Sequence, residues 1–275
     1  MNGLIKRALS GIVYVGVIVA GVLGGAWAFT ALSAVIVAFA VNEFTTLSGS
    51  GVNPAVRLLD VAGGVLMVCS VSGYCAGAFA APSVMVPYLI YLIARGVMQL
   101  YIVKGNALKQ LALSFTGQVY AALPVALMSV IYYVVGTPHL LLGLFVMIWL
   151  NDSGAYIVGS RIGRRRLWPR ISPKKSWEGF WGGMAFAVIA GVLFGVCGSS
   201  YFASLPVWSL AVMGALVSVF ATWGDLLESL VKRTVGVKDS GNLIPGHGGI
   251  LDRIDSLLMV VPSAIVYLII IINII

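Results

Sequence analysis

Five of the nine acidic residues in this 275-residue chain fall between Asp225 and Asp255. They read Gly224-Asp225-Leu226-Leu227-Glu228, Lys238-Asp239-Ser240, and Leu251-Asp252-Arg253-Ile254-Asp255. On a helix, Asp225 and Glu228 stand three apart, as do Asp252 and Asp255, so each pair shares a face. Like charges so placed repel unless a cation or a basic partner lies between them. Salt bridges to Lys232, Arg233, Lys238 and Arg253 are the plainer account, and they suit Glu228 and Asp239, which sit in or beside a polar loop. Asp225, Asp252 and Asp255 end apolar segments, where an unpaired carboxylate is costly, and a metal site explains them better. Oxygen donors without flanking Cys or paired His favour Mg²⁺, which keeps water ligands and binds together with substrate phosphates.

Between these carboxylates stands Ile244-Pro245-Gly246-His247-Gly248-Gly249-Ile250. The backbone N–H groups of such a glycine-rich turn can converge on an anion, and the helix it opens attracts phosphate at its N-terminus. His247 has three readings, as a general acid/base, as a phosphate hydrogen-bond donor, and as a residue that orients the turn; the phosphate contact is favoured. No GxxxxGK[ST] run exists, which excludes a P-loop. A third polar island, Asn151-Asp152-Ser153-Gly154, interrupts an apolar segment, and Asp152 there marks a functional site unless Asn151 or Ser153 serves helix packing. Seven basic residues lie between Arg161 and Lys175, denser than topology requires. Such clusters meet anionic headgroups or phosphate-bearing substrates. Glu43 and Asp60 have no surrounding motif and receive no role.

The elements that position these groups must be membrane helices. Hydrophobic residues make up 60% of the chain and charged ones 9%, against about 25% charged in a soluble domain, and the mean hydropathy is +1.03. Segments long enough to span fall near 9–28, 29–47, 58–79, 82–103, 110–135, 139–159, 179–198, 206–228 and 254–275. The reading is all-α: a polytopic protein of about nine transmembrane helices. Residues 1–136 hold the first five spans, and residues 137–275 form a catalytic region with polar loops at 160–178 and 229–253. With the N-terminus cytoplasmic and the C-terminus outside, 16 of the 17 Lys and Arg residues lie inside, as the positive-inside rule requires. The exception, Arg95, lies mid-segment and should face protein or water. A bacterial inner membrane is the expected location. The net charge of +8 is thus a matter of topology, and no nucleic-acid partner is expected. Cys69, Cys75 and Cys197 lack metal or disulfide spacing.

The string from Ser229 to Asp255, SLVKRTVGVKDSGNLIPGHGGILDRID, resembles the signature of the phosphatidate cytidylyltransferases (CDP-diacylglycerol synthases). Its fixed positions are met by Ser229, Lys232, Arg233, Lys238, Asp239, Gly241, Pro245, His247, Gly248, Gly249, Asp252, Arg253 and Asp255. Ser172-Pro173-Lys174-Lys175-Ser176-Trp177-Glu178-Gly179 resembles the family's SPxKSxEG segment, and Asn151-Asp152-Ser153-Gly154-Ala155-Tyr156 its earlier Asp-containing helix. For residues 1–140 only hydropathy is similar.

The resemblance implies transfer of a cytidylyl group from CTP to phosphatidic acid in the membrane, giving CDP-diacylglycerol and pyrophosphate. It implies Mg²⁺, with a second cation left open, held first by Asp225 and Asp252 and then by Asp255 and Asp152. Lys174, Lys175, Lys232, Arg233, Lys238 and Arg253 are implied as phosphate contacts, Ser172 and Ser176 as hydroxyl donors, and Gly248 and Gly249 as the phosphate-facing turn. Lys175 and His247 join the aspartates as catalytic candidates, and a homodimer rests on the resemblance alone. Two other classes compete. CDP-alcohol phosphotransferases need an Asp-Gly dipeptide, which is absent. A transporter of an anionic or phospholipid substrate would show broken helices in matching halves, and no duplication is visible.

Overall fold

The computed structural model describes residues 3–47, 53–81, 83–103, 105–134, 137–202, 205–241, 243 and 248–273. His247 therefore lies outside the described residues. The helices are α1 (Gly3–Leu23), α2 (Ala26–Leu47), α3 (Pro54–Cys75), α4 (Val86–Leu100), α5 (Ala107–Gly117), α6 (Leu123–Tyr133), α7 (Pro138–Ile162), α8 (Trp177–Gly198), α9 (Val207–Thr234) and α10 (Leu251–Ile272). Among the described residues, eight helical stretches are long and apolar enough to cross a membrane, and Leu9–Leu23 adds a shorter apolar one. The chain is an integral membrane protein by this measure.

Local chemistry sets the ends of these helices. Asn53 accepts a hydrogen bond from Ala55 N at 2.9 Å ahead of Pro54, and Asn106 accepts from Lys109 N at 2.9 Å. Thr137 precedes Pro138 in the same way. A side-chain oxygen before a proline at the first position caps otherwise unsatisfied N–H groups. α5 runs into α6 through a π turn, Gln118–Ala122, just ahead of Pro124. The wider turn fits a proline whose ring would clash with the carbonyl four residues earlier.

Contacts divide the chain into two compact units. The first contains residues 1–134 and 235–253, so the polar segment expected to belong with the C-terminal region groups with the N-terminal helices. Its core is small and aliphatic: Val37, Ala40 and Val41 from α2, Val68 from α3, and Ala121, Ala122, Val125 and Ala126 from the α5–α6 rod are fully buried. Arg95 does face protein. Its Nε lies 3.5 Å from Asp60 Oδ1, with the two side chains 0% and 2% exposed. Tyr91, Ser114 and Gln99 complete that polar knot.

The second unit contains residues 135–234 and 254–275. In it α8 packs on α7 and α9 through glycines. A Cβ on Gly214 would come within 2.7 Å of Ala187 C, and one on Gly191 would collide with the Leu210 carbonyl. This is the close approach that small residues permit between membrane helices.

The stretch expected as a loop at 160–178 is mostly ordered secondary structure. α7 continues to Ile162, an antiparallel hairpin pairs β1 (Arg166–Trp168) with β2 (Ser172–Ser176), and α8 starts at Trp177. Glu178 closes the base of this hairpin by accepting from Arg164 N and Arg165 N, each at 3.1 Å. Likewise α9 runs to Thr234, so Ser229, Lys232 and Arg233 stand on its last turns rather than in a loop. Gly236, at φ +77°, then supplies the left-handed residue that turns the chain away from the helix.

Candidate functional site

Two constellations carry the polar chemistry, one in each unit. In the second unit, α7, α9 and β2 line a cavity of about 540 Å³ whose wall includes Asp152, Arg166, Lys174, Lys175, Ser176 and Asp225. Lys175 Nζ lies 2.6 Å from Asp225 Oδ2, with 26% and 35% of the two side chains exposed. That partial exposure leaves the pair within reach of a water-borne ligand. Lys175 also donates to the Thr222 carbonyl at 3.5 Å, and Ser229 Oγ donates to Asp225 Oδ1 at 3.2 Å. Gly224 allows the backbone of α10 to come close to α9, since a Cβ there would meet Asp255 O at 2.5 Å. As a result Asp255 lies within electrostatic range of Asp225, Asp152 and Lys175. Three carboxylates thus share one neighbourhood with Lys175.

Among the described residues no three metal-type side chains converge tightly enough to hold an ion by themselves. Mg²⁺ seldom asks for that, because it is usually bound by one or two carboxylates and completed by water and substrate phosphates. Asp225, Asp255 and Asp152 fit such a partial set in both donor type and charge excess.

The hairpin and α9 account for further candidates. Ser176 is buried and caps α8, its Oγ accepting from Gly179 N at 3.1 Å. Lys174 is exposed on β2, where its carbonyl accepts from Arg166 Nη1 at 3.4 Å, and Ser172 is half-buried at the start of the strand. Lys232 pairs with Glu228 at 2.7 Å, one helical turn apart, so the plain salt-bridge account of Glu228 holds. Arg233 is exposed at the end of α9.

In the first unit the described end of the glycine-rich turn, from Gly248 onward, donates its backbone N–H groups to the protein's own carboxylates. Gly249 N donates to Asp252 Oδ2 at 2.8 Å, while Ser240 N and Ser240 Oγ reach the same oxygen at 2.9 Å. Ile250 N donates to Glu43 Oε1 and Leu251 N to Glu43 Oε2, both at 2.9 Å. Ser240 Oγ also lies 3.0 Å from Glu43 Oε2. Asp252 sits in the first turn of α10, where a carboxylate is favoured by the helix dipole. Gly248 holds φ +84° in this turn, a backbone conformation that a side chain would strain. Lys238 and Arg253 are exposed, and the Arg253 carbonyl accepts from Tyr14 OH at 3.2 Å.

Glu43 is the residue that motif reasoning missed. One signal existed, a lone ionisable side chain inside an apolar stretch, which marks a functional position by default. Its partners, more than 190 positions away in sequence, carry no local signal.

Several bacterial proteins are similar over part of this chain. A phosphatidate cytidylyltransferase of Bacillus subtilis (strain 168) is 50% identical over 117 residues, 42% of this chain and 42% of that protein. Phosphatidate cytidylyltransferases of Staphylococcus haemolyticus (strain JCSC1435) and Staphylococcus aureus (strain COL) are each 45% identical over 126 residues, 45% of this chain and 46% of theirs. The chain therefore spans less than half the length of these relatives. The model of the cytidylyltransferase family matches residues 5–271, nearly the whole sequence, and the chain belongs to that family.

Proposed function

We propose that this protein transfers the cytidylyl group of CTP to phosphatidic acid, forming CDP-diacylglycerol and pyrophosphate. The observation that carries the reading is the cavity in which Lys175 and Lys174 stand beside Asp225 and Asp152, with Asp255 in electrostatic range. The 27-residue signature from Ser229 to Asp255 and the names of the bacterial relatives support the same substrates.

A phosphate monoester is already anionic near neutral pH, its second pKa being about 6, so the nucleophile needs no strong base. A phosphatidate oxygen attacks the α-phosphorus of CTP, and the bond to the β-phosphate oxygen breaks as pyrophosphate leaves. The barrier is mainly repulsion between two anions. Lys174 and Lys175 lower it by placing positive charge where the phosphates meet. Asp225, Asp255 and Asp152 are the residues that would hold Mg²⁺, and a cation bound there would supply charge neutralisation for the departing pyrophosphate. The Lys175–Asp225 pair orients the lysine while leaving its other protons for phosphate oxygens. The distribution of basic residues favours a bacterial inner membrane with this site open to the cytoplasm.

The test is incorporation of radiolabel from CTP into lipid by the purified full chain with phosphatidate, with and without Mg²⁺. Labelled CDP-diacylglycerol appearing in step with pyrophosphate, and lost on chelation, is the expected outcome. Pyrophosphate release without labelled lipid would overturn the lipid acceptor. Labelled lipid formed at full rate in chelator would overturn the role of Mg²⁺.

A further inference from the structure

We infer that Glu43, from within the N-terminal helices, is a positioning residue for the reaction, holding the signature turn that starts α10. The inference rests on the proposed cytidylyl transfer only in taking that turn to serve it.

Glu43 is 6% exposed in an apolar helix, and a carboxylate there persists only if hydrogen bonds replace the water it has lost. The signature segment provides them from two places: Ser240 Oγ in its middle, and the Ile250 and Leu251 N–H groups ten and eleven residues further on. Leu251 N–H opens α10 and Ile250 N–H immediately precedes it, so neither has a partner inside the helix. Both carboxylate oxygens are used, Oε1 by Ile250 and Oε2 by Leu251 and Ser240.

Glu43 also packs closely against two signature glycines. A Cβ on Gly241 would stand 2.8 Å from Glu43 Oε1, and one on Gly249 would run into Glu43 Oε2 and Ser240 Oγ. A side chain at either position would push the Glu43 carboxylate from its present place. The hydroxyl of Ser240 stands between Glu43 Oε2 and Asp252 Oδ2, so Glu43 helps set where the Asp252 carboxylate rests.

Glu43→Gln in the full-length protein is the test. The amide has one oxygen for two backbone N–H donors, so one of them must face an NH₂ group. Supporting partners of this kind are worth roughly 10–100-fold in activity, and kcat for CDP-diacylglycerol formation should fall by that factor. KM for CTP should stay within about twofold, since no substrate contact is removed. Amide exchange at Ile250 and Leu251 should quicken by about tenfold or more as the turn opens, and Glu43→Asp should recover part of kcat. A lowered melting temperature with unchanged kcat per folded molecule would make Glu43 merely structural and overturn the proposal. If Glu43→Gln fails to fold, Ser240→Ala, which removes one of the three donors, should lower kcat several-fold, and an unchanged value overturns the inference. Should the wild type make no CDP-diacylglycerol, the function falls separately. Exchange rates then decide on Glu43, and unchanged rates at Ile250 and Leu251 overturn the inference.

Discussion

Asp252 and Lys175 show how a site residue is told from a scaffold residue. The three hydrogen bonds described for Asp252 all end on one oxygen, Oδ2. Asp252→Asn keeps an oxygen for those donors and removes only charge. A structural Asp252 predicts an Asn variant with near wild-type turnover, whereas a metal-ligand Asp252 predicts near-complete loss of Mg²⁺-dependent turnover with normal membrane insertion and melting. We expect the first outcome, measured as turnover across a Mg²⁺ titration, because Oδ2 is already held by Ser240 and Gly249. Lys175 poses the complementary case, as the cation paired with Asp225 and in electrostatic range of Asp255. Lys175→Ala, alone or with Lys174→Ala, should reduce kcat/KM for CTP by about 10²-fold, the usual effect of removing one charge-stabilising group. Melting should move little, because a partly exposed ion pair contributes about 0–1 kcal/mol. Unchanged kinetics in the double variant would return the basic hairpin to a purely topological role.

At the scale of elements, glycine spacing in α8 and α9 decides how the second unit packs. Gly191 and Gly214 each meet the backbone of the neighbouring helix, so an added methyl must push the helices apart rather than displace a soft side chain. Gly191→Ala or Gly214→Ala should destabilise by about 1–3 kcal/mol, as overpacking does. Gly11→Ala on α1 is the control, since a methyl added at that position would find nothing within 4 Å, and alanine there should be neutral or better by up to about 1 kcal/mol. Thermal melts of the three variants in one detergent check this. The hairpin is the element that the sequence conceals. Its strands are only three and five residues long. It exists because Glu178 ties its base and Ser176 caps the helix that follows.

For the whole molecule, charge distribution sets the expected orientation. Sixteen of 17 basic residues fall on one side if the N-terminus is cytoplasmic. In a background with Cys69, Cys75 and Cys197 replaced by Ser, Arg164→Cys and Val237→Cys should both react with an impermeant thiol reagent applied from the cytoplasm. Labelling of the two sites from opposite faces would overturn the topology and the cytoplasmic CTP site with it.

Much of this protein is legible without a structure. Long apolar runs can be nothing but membrane helices, because backbone polar groups in lipid must be satisfied within the segment, and charge asymmetry gives an expected orientation. Asp225, Asp255 and Asp152 stand out because carboxylates are scarce and expensive in such a chain. Tertiary structure alone decided which carboxylates gather. Asp252, three residues from Asp255, turns to Ser240 and Gly249, while Asp255 joins Asp225 through the opening left by Gly224. Glu43 and its partners on Ser240, Ile250 and Leu251 were invisible for the same reason. Hydropathy and local spacing report on a residue's own helix, whereas a hydrogen bond across some 200 residues depends on how helices pack.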